Sequence, residues 1–167
     1  RVFLNDGMGN FTDSGQRLGD SDSYTVALGD LDADGDLDTL VGTKSDARIW
    51  INQDGVFEAS KQTIKNTGIT AVFLEDFDQD GDLDALLAGD RLACLWWNDG
   101  EGLFAKSNQR FFYTDRYGIA VADFDGDGFA DIFAGSDTGK YKFWSNQRDA
   151  TFIKIHQGSR ISPYSKN

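Results

Sequence analysis

The 167-residue chain contains one cysteine, one proline and one histidine. A lone Cys94 excludes an internal disulfide framework and reads as a small buried hydrophobe within a strand. The lone His156 has no Ser or Cys arrangement near it, so it reads as a strand or surface residue rather than a catalytic base. Scarce proline beside 19 glycines favours tight turns over linkers. No apolar run approaches the roughly 20 residues of a membrane-spanning helix, so membrane insertion is not expected. Positive charge is also scarce. With 16 Lys and Arg against 28 Asp and Glu, the net charge of −12 argues against nucleic acid and anionic membrane as partners. What is present is a core: 40% of residues are apolar and 13% aromatic, which excludes disorder.

The acids are concentrated. Half of them, 14 of 28, fall in three runs: Asp30, Asp32, Asp34, Asp36 and Asp38; Asp76, Asp78, Asp80, Asp82 and Asp84; Asp123, Asp125, Asp127 and Asp131. The remaining 14 acids face 16 bases, so the rest of the chain is close to neutral.

The runs recur with a fixed period, Asp30 to Asp76 to Asp123, and a second marker keeps the same beat. Phe3-Leu4-Asn5, Trp50-Ile51-Asn52, Trp96-Trp97-Asn98 and Trp144-Ser145-Asn146 each place an aromatic two residues before Asn, and Phe11, Phe57, Phe104 and Phe152 follow. Periods of this size mark propellers, solenoids or arrays. Within a unit, Val26-Ala27-Leu28, Val72-Phe73-Leu74 and Ile119-Ala120-Val121 read as first strands, and 37–41, 83–87 and 130–134 as second strands. The aromatic-x-Asn segment is the third strand and the segment through the Phe is the fourth. Turn signals lie between those two: Asn5-Asp6-Gly7, Gln53-Asp54-Gly55, Asn98-Asp99-Gly100 and a weaker Gln147-Arg148-Asp149. Four antiparallel strands per unit is the arithmetic of an all-β propeller blade. The expected organisation is a half blade at 1–20, blades at 21–66 and 67–113, and a blade plus tail at 114–167. Three and a half blades do not close a ring, so the chain is expected to be part of a larger or multi-chain propeller, and to self-associate or require further blades.

Each acidic run fits D-x-D-x-D-G-x-x-D. Positions 1, 3, 5 and 9 are Asp30, Asp32, Asp34 and Asp38, then Asp76, Asp78, Asp80 and Asp84, then Asp123, Asp125, Asp127 and Asp131. Gly35, Gly81 and Gly128 at position 6 permit the sharp turn, and position 7 offers a backbone carbonyl from Asp36, Asp82 or Phe129. Convergent carboxylates repel unless a hard cation offsets them, and oxygen-only donors in a flexible loop suit Ca²⁺. An EF-hand needs Glu at position 12 and flanking helices; position 12 here is Val41, Leu87 or Ala134, between strands. Three identical copies weigh against solvated turns that hold no metal. Three Ca²⁺ ions are expected, which would change −12 to −6.

The segment from Val26 through Gly29-Asp30 to Asp38, together with Asn5-Asp6-Gly7-Met8-Gly9-Asn10-Phe11, resembles the FG-GAP/VCBS repeat family. That family includes the calcium-bearing blades of integrin alpha subunits and many secreted bacterial proteins. The resemblance covers essentially the whole chain. It implies a propeller, often seven-bladed, with Ca²⁺ in the loop joining the first two strands of each blade. Phe73 and Glu75 depart from the small residues expected on an inner strand, so the second blade is expected to be less regular near the axis.

Trp50, Trp96 and Trp144 share one repeat position, which favours inter-blade core over a ligand platform, and Trp97 is expected to pack on the adjacent blade. Asn5, Asn52, Asn98 and Asn146 are assigned to the local hairpin. Asn10-Phe11-Thr12 matches a glycosylation sequon. Loops at 43–47, 66–70, 89–92 and 135–140 are expected on the face opposite the acidic loops, where ligands of such propellers tend to bind. With no convergent catalytic set, the chain is expected to be non-enzymatic: an extracellular, calcium-stabilised module for binding or adhesion to a protein or glycan at the cell surface. A lectin-like module, a subunit of a surface fibre, and the non-catalytic propeller of a polysaccharide-degrading enzyme are the alternatives.

Overall fold

The computed structural model describes residues 1–66, 68–89, 92–112, 118–135, 141–148 and 150–158. The described residues form 14 strands and no helix. Strands β1 (Phe3–Asn5) and β2 (Phe11–Asp13) pair as a two-stranded sheet. The first blade is β3 (Ser23–Gly29), β4 (Asp38–Thr43), β5 (Asp46–Gln53) and β6 (Val56–Lys65). The second is β7 (Ala71–Glu75), β8 (Asp84–Ala88), β9 (Leu92–Asn98) and β10 (Phe104–Phe112). The third is β11 (Ile119–Ala122), β12 (Asp131–Ala134), β13 (Tyr141–Asn146) and β14 (Phe152–Gly158). Every pairing is antiparallel between sequence neighbours, so each blade is a four-stranded meander, as the periodicity predicts.

Period-two alternation explains how the blades stack. In the second blade, Leu86, Ala88, Ala93 and Leu95 point forward to pack with Ile132, Ala134 and Trp144 of the third blade. Ala85, Leu87 and Val72, with Trp96, point backward to pack with Leu40, Ala47, Ile49 and Ile64 of the first. The second blade is therefore apolar on both faces, which is why β8 reads as the unbroken run Ala85-Leu86-Leu87-Ala88 rather than as an alternation. Each fully buried Leu contributes about 1.5–3 kcal/mol. Gly29 ends β3 where Leu83 and Leu74 of the second blade come so close that a Cβ would meet Leu83 at 2.6 Å.

Trp96 and Trp144 lie in the inter-blade cores and Trp97 packs against the third blade, as expected. Cys94 is buried. Three expectations change. Trp50, unlike Trp96 and Trp144, belongs to neither inter-blade cluster; the preceding segment offers its ring Gly19 rather than a full blade, and it walls an open groove instead. Inner strand β7 keeps an unbroken register with β8 through all five residues, whereas the shift falls in the first blade, between Ser23 and Thr25. Phe73 is accommodated because its ring enters the inter-blade core instead of crowding the axis. The Asn residues also do more than serve their own hairpins, as described below. Positions 67, 90–91, 113–117, 136–140, 149 and 159–167, with the side chain of His156, lie outside the described residues; parts of the opposite-face loops and of the fourth turn fall among them.

Candidate metal centres

Each acidic loop joins the first two strands of its blade and takes the same backbone path. Positions 4 and 6 have positive φ in all three: Ala33 (59°) and Gly35 (96°), Gln79 (60°) and Gly81 (102°), Gly126 (79°) and Gly128 (91°). Glycine suits that conformation; Ala33 and Gln79 adopt it at a steric cost that the surrounding bonds must offset.

Position 9 anchors the loop. Asp38, Asp84 and Asp131 are fully buried at the first residue of the second strand. One carboxylate oxygen accepts from the position 2 N–H, at 2.7 Å from Leu31, 3.2 Å from Phe77 and 3.1 Å from Phe124. The other accepts from the N–H of the third-strand Asn, at 2.7 Å from Asn52, 2.9 Å from Asn98 and 2.9 Å from Asn146. The same carboxylate thus ties loop, second strand and third strand together. Position 1 closes the turn, because Gly35, Gly81 and Gly128 donate to Asp30, Asp76 and Asp123.

The Asn side chains reach across blades. Asn98 Nδ2 donates to the Leu31 carbonyl of the first blade's loop at 2.9 Å, and Asn146 Nδ2 to the Phe77 carbonyl of the second blade's loop at 2.7 Å. The aromatic-x-Asn signal marked these residues, but the acceptors lie 67 and 69 positions away in sequence. The acidic loops and the hairpins between third and fourth strands share one face: Asp54 N–H donates to Asp36 at 2.7 Å, and Gly100 lies against the Asp82 carboxylate.

Ligand-capable carboxylate oxygens converge within 4.8 Å in three trios: Asp30, Asp32 and Asp38; Asp76, Asp78 and Asp84; Asp123, Asp125 and Asp127. Asp34 and Asp80 at position 5 lie outside their trios and instead accept from the N–H groups of Asp36 and Asp82. Asp131 lies outside the third trio. Asp30 Oδ1, Asp32 Oδ1 and Asp76 Oδ1 are buried with no hydrogen-bond partner, so the donor set fits a cation that would take those lone pairs. Burial pushes the carboxyls of Asp32, Asp38, Asp78 and Asp131 up, and that of Asp84 up to about 7, with the neighbouring carboxylates adding to each rise. These groups hold negative charge reluctantly without a positive partner.

The FG-GAP-like repeat model matches residues 30–87 and 76–134, together more than half of the chain. Among solved structures, the chain is similar to an Agrocybe aegerita lectin that recognises non-reducing terminal N-acetylglucosamine. The TM-score is 0.57 at 20% identity, over 93% of this chain and 45% of the lectin. It is also similar to the Tc holotoxin pore of Photorhabdus luminescens, with TM-score 0.50 at 16% identity, over 83% of this chain and 7% of that one. The chain thus spans less than half of either protein, and at these identities the likeness is one of fold. Comparison with curated proteins gives no match.

Proposed function

The chain belongs to the FG-GAP-like repeat family, and on that premise we propose that it is a calcium-stabilised propeller segment that binds a ligand outside the cell without chemistry of its own. The observation that carries the reading is the set of buried, unpartnered carboxylate oxygens of Asp30, Asp32 and Asp76, each inside a trio of converging carboxylates. Hard oxygen donors on a flexible loop favour Ca²⁺ over softer metals and over the octahedral demands of Mg²⁺. Bound there, the ion would offset the carboxylate charge. The residues do the rest: position 9 holds the second and third strands, position 1 closes the turn, and the cross-blade Asn transmits loop order to the next blade. Millimolar calcium outside cells suits loops of this kind, which supports the extracellular assignment.

The test is calorimetric titration of calcium-free protein with Ca²⁺, joined to thermal melts. Three sites per chain and a large loss of melting temperature in chelator are expected, since a ligand of the folded state alone stabilises it by about 2.7 kcal/mol at a hundredfold excess over Kd. An unchanged melting temperature in excess EDTA overturns the reading.

A glycan as the ligand is favoured by the fold shared with the lectin and by an open groove of about 370 Å³ walled by Gly19, Arg48, Trp50, Gln62, Thr63 and Lys65. An indole beside polar side chains is the chemistry of sugar binding. Glycan-array binding in calcium that Trp50→Ala abolishes is the expected result; a blank array turns the reading to a protein ligand.

A further inference from the structure

The acidic loops are not isolated from one another, because a buried run of hydrogen bonds crosses each inter-blade interface and joins their carboxylates. In the second blade, Asp84 belongs to the second trio and accepts from the Phe77 and Asn98 N–H groups. The Asn98 side chain then crosses to the first blade. Its Oδ1 accepts from the Asp99 N–H at 3.0 Å, which leaves Nδ2 to meet the Leu31 carbonyl at 2.9 Å. Leu31 stands between Asp30 and Asp32 in the chain, and its N–H donates to Asp38 at 2.7 Å. Those three aspartates are the whole of the first trio. Asp38, Leu31, Phe77 and Asp84 are fully buried and Asn98 is 5% exposed, so water does not compete for these bonds.

The second interface repeats the run with one difference. Asn146 N–H donates to Asp131, and Asn146 Nδ2 donates to the carbonyl of Phe77, which stands between Asp76 and Asp78. Asp131, however, lies outside the third trio of Asp123, Asp125 and Asp127. That trio therefore shares no carboxylate with the run. Gln79 Nε2 also reaches the third loop, at the Gly128 carbonyl, but this bond is exposed and ends on no carboxylate.

We propose that the first and second loops take up Ca²⁺ as a cooperative pair, with Asn98 as the positioning residue between them, and that the third loop fills independently. This rests on the calcium reading above. Carboxylates converging within 4.8 Å repel while no cation offsets them, and that repulsion works against a seated Asp84. With the charge offset, Asp84 holds the Asn98 N–H, and the Asn98 amide holds Leu31, which places Asp30 and Asp32 on either side of it. The first trio is then already in place when it binds, so less ordering remains to be done there. By linkage the effect runs equally in the other direction. Two divalent cations repel each other directly, so a positive coupling must come through the protein.

Titration of the calcium-free chain with Ca²⁺, followed by NMR at the amides of Gly35, Gly81 and Gly128, reads the three loops separately. Asp76→Asn removes a ligand from the second trio without entering the run. It is expected to weaken the first site about twofold to tenfold, the worth of one hydrogen bond, and to leave the third unchanged. In an Asn98→Ala background the same substitution should no longer weaken the first site. Asn98→Ser replaces Asn98→Ala where circular dichroism shows lost strand signal. Ile64→Ala loosens the same interface without entering the run, so it should lower the melting temperature and keep the coupling. A first site indifferent to Asp76→Asn, an Asp76→Asn effect that persists without the Asn98 amide, or a coupling that Ile64→Ala also abolishes each overturns the proposal and leaves the calcium reading standing. No response at any of the three glycines overturns both.

Discussion

The first two acidic loops and the third share a motif and a backbone path, yet their carboxylates are used differently. In the first two, the converging trio includes the fully buried position 9 Asp, and position 1 leaves one oxygen buried and unpartnered. In the third, the trio is Asp123, Asp125 and Asp127, with Asp123 and Asp125 exposed. Asp123 accepts from three N–H groups, those of Gly126, Asp127 and Gly128. Asp127 pairs with Arg148 at 3.2 Å, and the hydrogen bond from Phe129 N–H, then Arg148, hold its carboxyl below the usual range. One loop type is therefore poised for a cation in two blades, and in the third its lone pairs are largely satisfied within the protein. The lesson is that a shared ligand pattern does not fix shared affinity, because hydrogen bonds and burial decide how many lone pairs remain to be filled.

The largest expected contrast comes from deleting one carboxylate in each kind of loop, in saturating calcium. Asp84→Ala removes a trio member and strands the N–H groups of Phe77 and Asn98, both buried. Asp123→Ala also removes a trio member, but the N–H groups it releases reach water, since that loop is exposed. An unsatisfied buried donor costs about 1–3 kcal/mol and one that rebinds water costs little. Asp84→Ala is therefore expected to lose at least about 2 kcal/mol more stability than Asp123→Ala, although it breaks fewer hydrogen bonds. Urea denaturation measures the difference; equal losses would erase the distinction between the loops.

How much of this was legible in the sequence depends on the range of the interaction. Strand order, acidic turns and hairpins rest on contacts within one repeat, and the spacing of Asp, Gly, aromatic and Asn carries them. The β5–β6 turn is such a case: Asp54 and Gly55 both have positive φ, as an Asp-Gly hairpin demands. The clasp from Asn146 to Phe77 was not legible, because regular spacing shows that an Asn recurs but not which blade its amide faces. The regular β7 was misjudged for a related reason. Phe73 looks too large for an inner strand until the neighbouring blade supplies a core to receive it. Arg148 also escaped notice: it lies in the weakest turn signal, and only the fold brings it from 21 residues away onto Asp127.

That arginine allows the finest test of the contrast between loops. Its guanidinium sits 3.2 Å from Asp127 and 5.8 Å from the centre of the Phe129 ring, with 63% of its side chain exposed. A cation entering the third loop must share Asp127 with a positive charge already there. The first two trios have no arginine or lysine partner among the described ion pairs. Exposed pairs of this kind are worth about 0–1 kcal/mol, so the competition is small but specific. Arg148→Ala is expected to raise the calcium affinity of the third site by up to about fivefold and to leave the other two unchanged. Site-resolved calcium titration followed by NMR at Gly35, Gly81 and Gly128 measures all three at once. Equal changes at all three sites would mean that Arg148 acts through the net charge of the protein rather than through Asp127. A fall in affinity at the third site would mean that Arg148 orders the carboxylate for the ion rather than competing with it.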